Sequence, residues 1–398
     1  MKATECQRCL YTTDHPFGLT LDAEGICSGC RTHEEKVRLD WSKRRELLHQ
    51  RLPAMLGRRA GRDYDCVVPV RGTPEYFKVL EIVRHELGLN PLVVAYNSQF
   101  NSAAGIENLD RLRETFDVDL IHYTSNPFIY KKLIRESLAR YRSMRWPFLA
   151  GETQLPVRIA ADKGIPLVIW PLHQATEQVG VHSYTEEPEM SRRGRHQYDL
   201  GGREPADLVT VESLVRPNDV EDLHYPTNPE LTRHGIRGLY LANYYPWDSR
   251  RYSEEMLTRH GARGADNRRT FDPYDRIDDC TYMTVHDLLK QRNLGYSRVT
   301  DNLCREIRFG RITKTDAHHV AAHFQAEQAP EEVAQFARWL GLQPGAFDWL
   351  RHGLATVPSP VRPVLTADQS AFVRSFQTNA APVWETRDYI VFGKGLEV

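Results

Sequence analysis

A parallel α/β sheet with helices on both faces is the fold class the sequence predicts, on three observations. Short apolar runs recur at 64–70, 91–96, 119–123 and 166–170. Helical patterns at 75–87, 103–115, 127–141 and 153–163 alternate with them over short connections, as crossovers between parallel strands require. The first run ends in the turn Arg71-Gly72-Thr73-Pro74-Glu75-Tyr76, which leads straight into a helix. The carboxyl end of such a strand is where α/β sheets place their ligands.

In chain order, residues 1–33 carry two hooks, Cys6-Gln-Arg-Cys9 and Cys27-Ser-Gly-Cys30, separated by seventeen residues. Four thiolates at this spacing close tetrahedrally around zinc and leave no open position, so a small structural zinc ribbon precedes the sheet. Segments 12–17 and 19–25 read as hairpin pieces turning at Asp22-Ala-Glu-Gly25. His15 and His33 read as bystanders. Residues 34–62 link the ribbon to the sheet: Val37, Leu39, Trp41, Leu47, Leu48, Leu52 and Leu56 predict one amphipathic helix from 33 to about Gly57. Residues 63–250 hold the α/β domain, interrupted by a polar, loop-rich insertion at 181–235. Segment 238–247 reads as a further buried strand. Residues 251–330 form a mainly helical, highly charged subdomain. Residues 331–398 are a C-terminal extension with a helix at 331–340, a Pro-rich link at 357–363 and a last strand at 389–392.

The 398 residues suffice for two or three domains. A net charge of −1 gives no field toward nucleic acid or anionic membrane. The opening Met1-Lys-Ala-Thr-Glu-Cys6 lacks an apolar signal region, and no run approaches the ~18 apolar residues of a bilayer span. A cytoplasmic protein without membrane or nucleic-acid partners is therefore expected. Cys66, Cys280 and Cys304 are scattered and do not make a secreted disulfide framework.

Several phrases carry a resemblance. They are the cysteine hooks, Tyr64-Asp-Cys-Val-Val-Pro-Val70, Leu155-Pro-Val-Arg-Ile-Ala160 with Ile165-Pro-Leu-Val-Ile-Trp170, and Tyr245-Pro-Trp-Asp248. Further on come Asp275-Arg-Ile-Asp-Asp279 with His286-Asp287, and Gly295-Tyr-Ser-Arg-Val-Thr-Asp301 with Glu306-Ile-Arg-Phe-Gly-Arg-Ile-Thr313. In order and spacing, up to about residue 330, these resemble the N-acetyl sugar amidotransferase family of pyrophosphate-loop ATPases. The resemblance implies a HUP-like pyrophosphate-loop domain and a place in surface polysaccharide synthesis. It implies that ATP with Mg activates the amide of a nucleotide-linked acetamido sugar. Ammonia from a separate glutaminase subunit then gives an acetamidino group. Adenylation turns a poor leaving group into a good one, and a buried route keeps ammonia away from water.

Carried over by position, the resemblance assigns nucleotide or substrate binding to Arg71, Gly72, Thr73, Glu75, Tyr96, Asn97, Arg298 and Arg308. It assigns catalytic roles to Asp278, Asp279, His286 and Asp301. Asp279 and His286 are seven apart, one helix face. Asp278 to Asp301 read equally as caps and ion pairs of a helical subdomain. Arg308 and Arg311 read as a diphosphate clamp or as a surface pair.

The chain departs from the family at the centre. Where the family loop reads S-G-G-x-D-S, only Gly72 is kept. Thr73 disfavours positive φ, Pro74 removes an N–H donor, Glu75 is a methylene longer, Tyr76 is a ring, and Arg71 adds a cation able to pair with phosphate. Arg145-Trp-Pro-Phe-Leu-Ala-Gly151 replaces a phrase with Cys and His, Trp170-Pro-Leu-His173 replaces W-G-E-N, and Asn97 stands where Asp is usual. These changes weigh against ATP and Mg. The expectation is an amidotransferase-like enzyme with an altered loop, acting on a sugar nucleotide or a related amide or carboxyl group. The alternative is a non-catalytic or repurposed relative, its pocket blocked by Tyr76 and Pro74. RNA modification, suggested by the ribbon and loop together, is opposed by the neutral charge. Homo-oligomerisation is left open.

Overall fold

Three apolar runs buried from end to end and two less buried edge strands build a parallel sheet in the computed structural model, which describes residues 3–57, 63–186, 188–342, 364–377 and 389–390. The strands are β1 (Cys66–Pro69), β2 (Pro91–Tyr96), the two-residue β3 (Asn101–Ser102), β4 (Asp119–Tyr123), β5 (Leu167–Trp170) and β6 (Arg237–Tyr240). Five of them form one sheet in the order β4-β2-β1-β5-β6, every pair parallel. Val67, Leu92, Val94 and Val168 face one apolar core, while Cys66, Val68, Val93, Leu167 and Ile169 face another. Burial on both faces explains why these strands read as continuous apolar runs rather than as alternating ones.

The helices are α1 (Ser28–Arg38), α2 (Trp41–Leu56), α3 (Glu75–Leu80, continued by a π-helical turn Glu81–Glu86), α4 (Ala103–Phe116), α5 (Pro127–Tyr141), α6 (Trp146–Asp162), α7 (Gln174–Val179) and the single turn α8 (Arg192–Gly194). There follow α9 (Asn228–His234), α10 (Ser249–His260), α11 (Cys280–Leu294), α12 (Arg298–Arg308), α13 (Lys314–Gln325), α14 (Pro330–Leu340) and α15 (Ala367–Gln377). The first core takes its side chains from α5, α6, α11 and α14. The second takes them from α2, α3, α4 and α10. A last strand, β7 (Tyr389–Ile390), pairs antiparallel with β3. No helix among the described residues is long and apolar enough to cross a membrane.

Chain order reverses between β1 and β5. The chain first runs outward through β2 and β4, then returns to the other side of β1. The crevice outside the carboxyl ends of β1 and β5 is therefore the topological switch point, the usual ligand position of such sheets.

Three expectations are corrected. The linking segment is two helices, because the Asp40 carboxylate accepts from the amides of Ser42 and Lys43 at 3.1 and 3.2 Å and starts α2 afresh. Helix α6 begins at Trp146, well before 153, with Pro147 in its first turn, where a missing N–H costs nothing. The strand at 238–247 ends at Tyr240, since a 3-10 turn Leu241–Asn243 carries the chain off the sheet. The link at 357–363 and positions 391–392 of the last strand lie outside the described residues.

Candidate functional site

Four buried cysteines make the first constellation. The sulfurs of Cys6, Cys9, Cys27 and Cys30 lie within 4.8 Å of one another, and Cys9 and Cys27 are 3.6 Å apart. Four thiolates about 2.3 Å from one tetrahedral zinc stand about 3.8 Å apart, so the spacing fits that ion. Backbone amides of Arg8 and Cys27 donate to Cys6 Sγ, and that of Cys30 to Cys27 Sγ, as suits sulfurs carrying negative charge. His15 and His33 stay outside this group: His15 bonds Tyr296 Oη at 3.0 Å, and His33 packs edge-on against Phe309. The cysteine set fits a structural metal such as zinc.

The β1 loop is the second constellation, and it is closed. Gly72 touches α4 so tightly that a Cβ there would lie 2.2 Å from the carbonyl oxygen of Gly105. The Gly72 carbonyl accepts from Asn108 Nδ2 at 2.9 Å. Packing thus accounts for the one residue the loop keeps. The amides of Tyr76 and Phe77 donate to the carbonyls of Thr73 and Pro74. The Glu75 carboxylate accepts from Trp247 Nε1 and from Ser249 Oγ, and burial pushes its acidity toward the neutral form. Arg71 turns inward, and its Nε and Nη2 donate to the two carboxylate oxygens of Glu152. The two charged side chains of the loop, Arg71 and Glu75, are thus held by Glu152 and by Trp247 with Ser249.

The third constellation opens beside the loop. Arg145 Nη1 donates to Asp279 Oδ2 at 2.8 Å, both side chains buried. Arg276, from the left-handed region at φ 55°, sits close enough to Arg71 and Arg145 to feel both. Burial, then those like charges, pull its guanidinium down to about 10. Burial and the adjacent Asp279 raise the Asp278 carboxyl to about 6, against the pull of three arginines. Burial, reinforced by Arg145 and Lys290, holds His286 neutral. Arg145 Nη2, Arg276 Nη1, Asp278 Oδ1, Asp279 Oδ1 and His286 Nδ1 are buried without a partner. An unmade buried hydrogen bond costs about 1–3 kcal/mol. Several together, mixing donors and acceptors, are what a polar ligand or water would satisfy.

The structure therefore brings Arg71, Asp278, Asp279 and His286 into one buried polar cluster, the candidate crevice, and distributes the other expected residues. Arg298 stands at its rim, with Nε 2.9 Å from Asp275. Tyr96 ends β2 and packs against Tyr123 and Phe148. Asn97 shapes the following loop, accepting from Gln99 N and Asn101 Nδ2 and donating to Thr124. Asp301 is not in the crevice: it accepts from Tyr11 Oη at 2.8 Å and pairs with Lys290. Nor is Arg308, which donates to the carbonyls of Glu177 and Gln178 and lies 3.8 Å from Cys27 Sγ. Arg311 bridges Asp248 and Glu306 and does not join Arg308 in a clamp. Glu152 and Arg276 were missed. The helical pattern at 153–163 begins one residue after Glu152, and Arg276 sits inside a phrase rich in acids. The paired signal, Arg71 replacing Ser beside the altered 145–151 phrase, was the one available clue. A cleft of ≈ 540 Å³ lined by Arg51, Met55, Glu189 and Arg237 lies at the amino end of β6, away from this chemistry.

Fold and site together define a parallel α/β protein with a polar switch-point crevice and a four-cysteine centre. Residues 268–360 match the family model described as LPS biosynthesis protein WbpG-like, C-terminal domain. That match associates the segment bearing Arg276, Asp278, Asp279 and His286 with polysaccharide biosynthesis. No curated protein matches the chain.

Proposed function

We propose that this protein is an amidotransferase-like enzyme of surface polysaccharide biosynthesis, whose crevice holds the reacting group of a nucleotide-linked sugar. Ammonia from a glutaminase partner attacks the carbon of an amide or carboxyl group that arrives already phosphorylated on its oxygen; the C–N bond forms, the C–O bond breaks, and phosphate departs with that oxygen. The observation that carries this reading is the set of unpaired buried atoms on Arg145, Arg276, Asp278, Asp279 and His286, gathered at the switch point. The arginines suit an oxygen-rich ligand, and a carboxyl raised to about 6 and a neutral imidazole, both close enough to Arg145 and Arg276 to feel them, suit proton transfer. The match of residues 268–360 supports the sugar context. ATP at the β1 loop has no part in this reading, which takes the pairing of Arg71 with Glu152 and of Glu75 with Trp247 as its reason.

The test is isothermal titration of the full chain with a UDP-linked N-acetylhexosamine. Saturable heat that drops at least about tenfold in affinity in Arg145→Ala, the scale of one lost charged contact, is expected. No heat with millimolar sugar nucleotide, or identical affinity in the variant, rejects it. The second reading is a non-catalytic relative that binds a ligand or partner without ATP hydrolysis. The closed loop favours it, with Arg71 bound to Glu152 and Glu75 bound to Trp247. Sugar-nucleotide binding with no amidated product from an O-phosphorylated (acyl phosphate) substrate in ammonium would select that reading.

A further inference from the structure

We propose that Glu152 is a built-in counter-anion that closes the Arg71 loop to polyphosphate and so restricts which ligands the crevice accepts. The inference deepens the reading above and rests on the crevice being the ligand site.

The argument begins with geometry. A strand, turn and helix at a sheet's carboxyl edge present backbone N–H groups and a positive helix end, which attract phosphate. Arg71 adds a cation at the first position after β1. Left alone, this set would favour an anion. Instead the Glu152 carboxylate meets the guanidinium fork with both oxygens, the arrangement a bound phosphate or carboxylate would adopt. Burial opposes ionisation of Glu152, yet Arg71, with Arg145 and Arg276 behind it, holds the carboxyl below the usual range. Ionised Glu152 therefore stands where an anionic ligand would stand.

The placement is supported from behind. Helix α6 reaches the end of β2 only because residue 151 is glycine: a Cβ there would lie 2.2 Å from the Tyr96 ring. The next residue is Glu152. The Arg71 guanidinium lies 4.8 Å from the Phe148 ring centroid and that of Arg145 4.6 Å from the same centroid. One aromatic side chain of α6 thus seats both arginines, and one acid of α6 neutralises the first. Arg145 and Arg276 keep unpaired N–H atoms, whereas Nε and Nη2 of Arg71 are both taken by Glu152.

The experiment is isothermal titration of the full chain with inorganic pyrophosphate, in the wild type, in Glu152→Gln, and in Arg71→Met/Glu152→Gln. Glutamine keeps the shape and removes the charge. The proposal expects no saturable binding in the wild type, binding at least about tenfold tighter in Glu152→Gln, and loss of that gain in the double variant. Wild-type binding as tight as that of Glu152→Gln overturns it, and so does a folded Glu152→Gln that binds nothing. If Glu152→Gln does not fold, Glu152→Asp, which retracts the carboxylate by one methylene, is read the same way. Collapse of both variants would make the pair a core brace and overturn the proposal. Because the probe is pyrophosphate alone, a failed sugar-nucleotide titration leaves this result standing, and the reverse also holds.

Discussion

Two charged regions of this protein use the same residue types to opposite ends. Between α10 and α12, Glu306 is fully buried and accepts from Arg305 at 2.8 Å and from Arg311, with Arg250 at 3.4 Å. Arg311 continues to Asp248 at 2.8 Å, and Arg305 to Asp272. Asp272 also takes the amide of Tyr274 at 2.9 Å. The circuit closes on itself. In the crevice, by contrast, Arg145, Arg276, Asp278 and Asp279 keep atoms that nothing meets. Burial of charge is common to both, so burial alone does not mark a site. A cluster of unpaired donors and acceptors at the switch point does.

The comparison can be broken from its strongest side. Glu306→Ala leaves Arg305 and Arg311 with an uncompensated buried charge and should cost about 3–5 kcal/mol, read by urea unfolding. A cost near that of exposed pairs, about 0.5 kcal/mol, would erase the distinction between brace and surface. Crevice variants should behave differently. Asp278 holds its proton to about 6 in the folded state against an ordinary 3.8. Its favourable contribution is therefore complete below 3.8 and is lost as pH rises to about 6. The unfolding free energy of wild type minus that of Asp278→Asn should fall across this window by on the order of 2 kcal/mol and stay flat above it. A difference that rises with pH would mean Asp278 is ion-paired like Glu306. The smallest effect serves as a control outside both regions: Asp40→Ala removes the start of α2 and should cost about 1 kcal/mol in melting or urea experiments, with sugar-nucleotide binding unchanged.

Much of the architecture was legible because its causes are local. Val67, Val68, Val93 and Val94 announce strands buried on both faces, and the two C-x-x-C hooks carry their own geometry. The β1 turn was legible as a location. Its chemistry was not, since the partner that closes it comes from α6, 81 residues further on. Asp301 and Arg308 were assigned to the crevice for the same reason. Each belongs instead with the ribbon, through Tyr11 290 residues earlier and Cys27 281 residues earlier. A sequence shows which charges exist; only the folded chain shows which of them are already spoken for. Residues 268–360, matched to a polysaccharide biosynthesis domain, contain both kinds side by side.

The ribbon's packing has a consequence for how the molecule is made. Cys6, Cys9, Leu10, Tyr11 and Leu19 share one apolar core with Tyr296, Val299, Leu303, Val320 and Phe324. A segment early in the described chain therefore docks on segments nearly 300 residues further on. Until they emerge, at about 5–20 residues per second, the ribbon has metal capture as its main means of holding shape. Withdrawing a metal from the four cysteines is therefore expected to loosen α12 and α13 along with the ribbon.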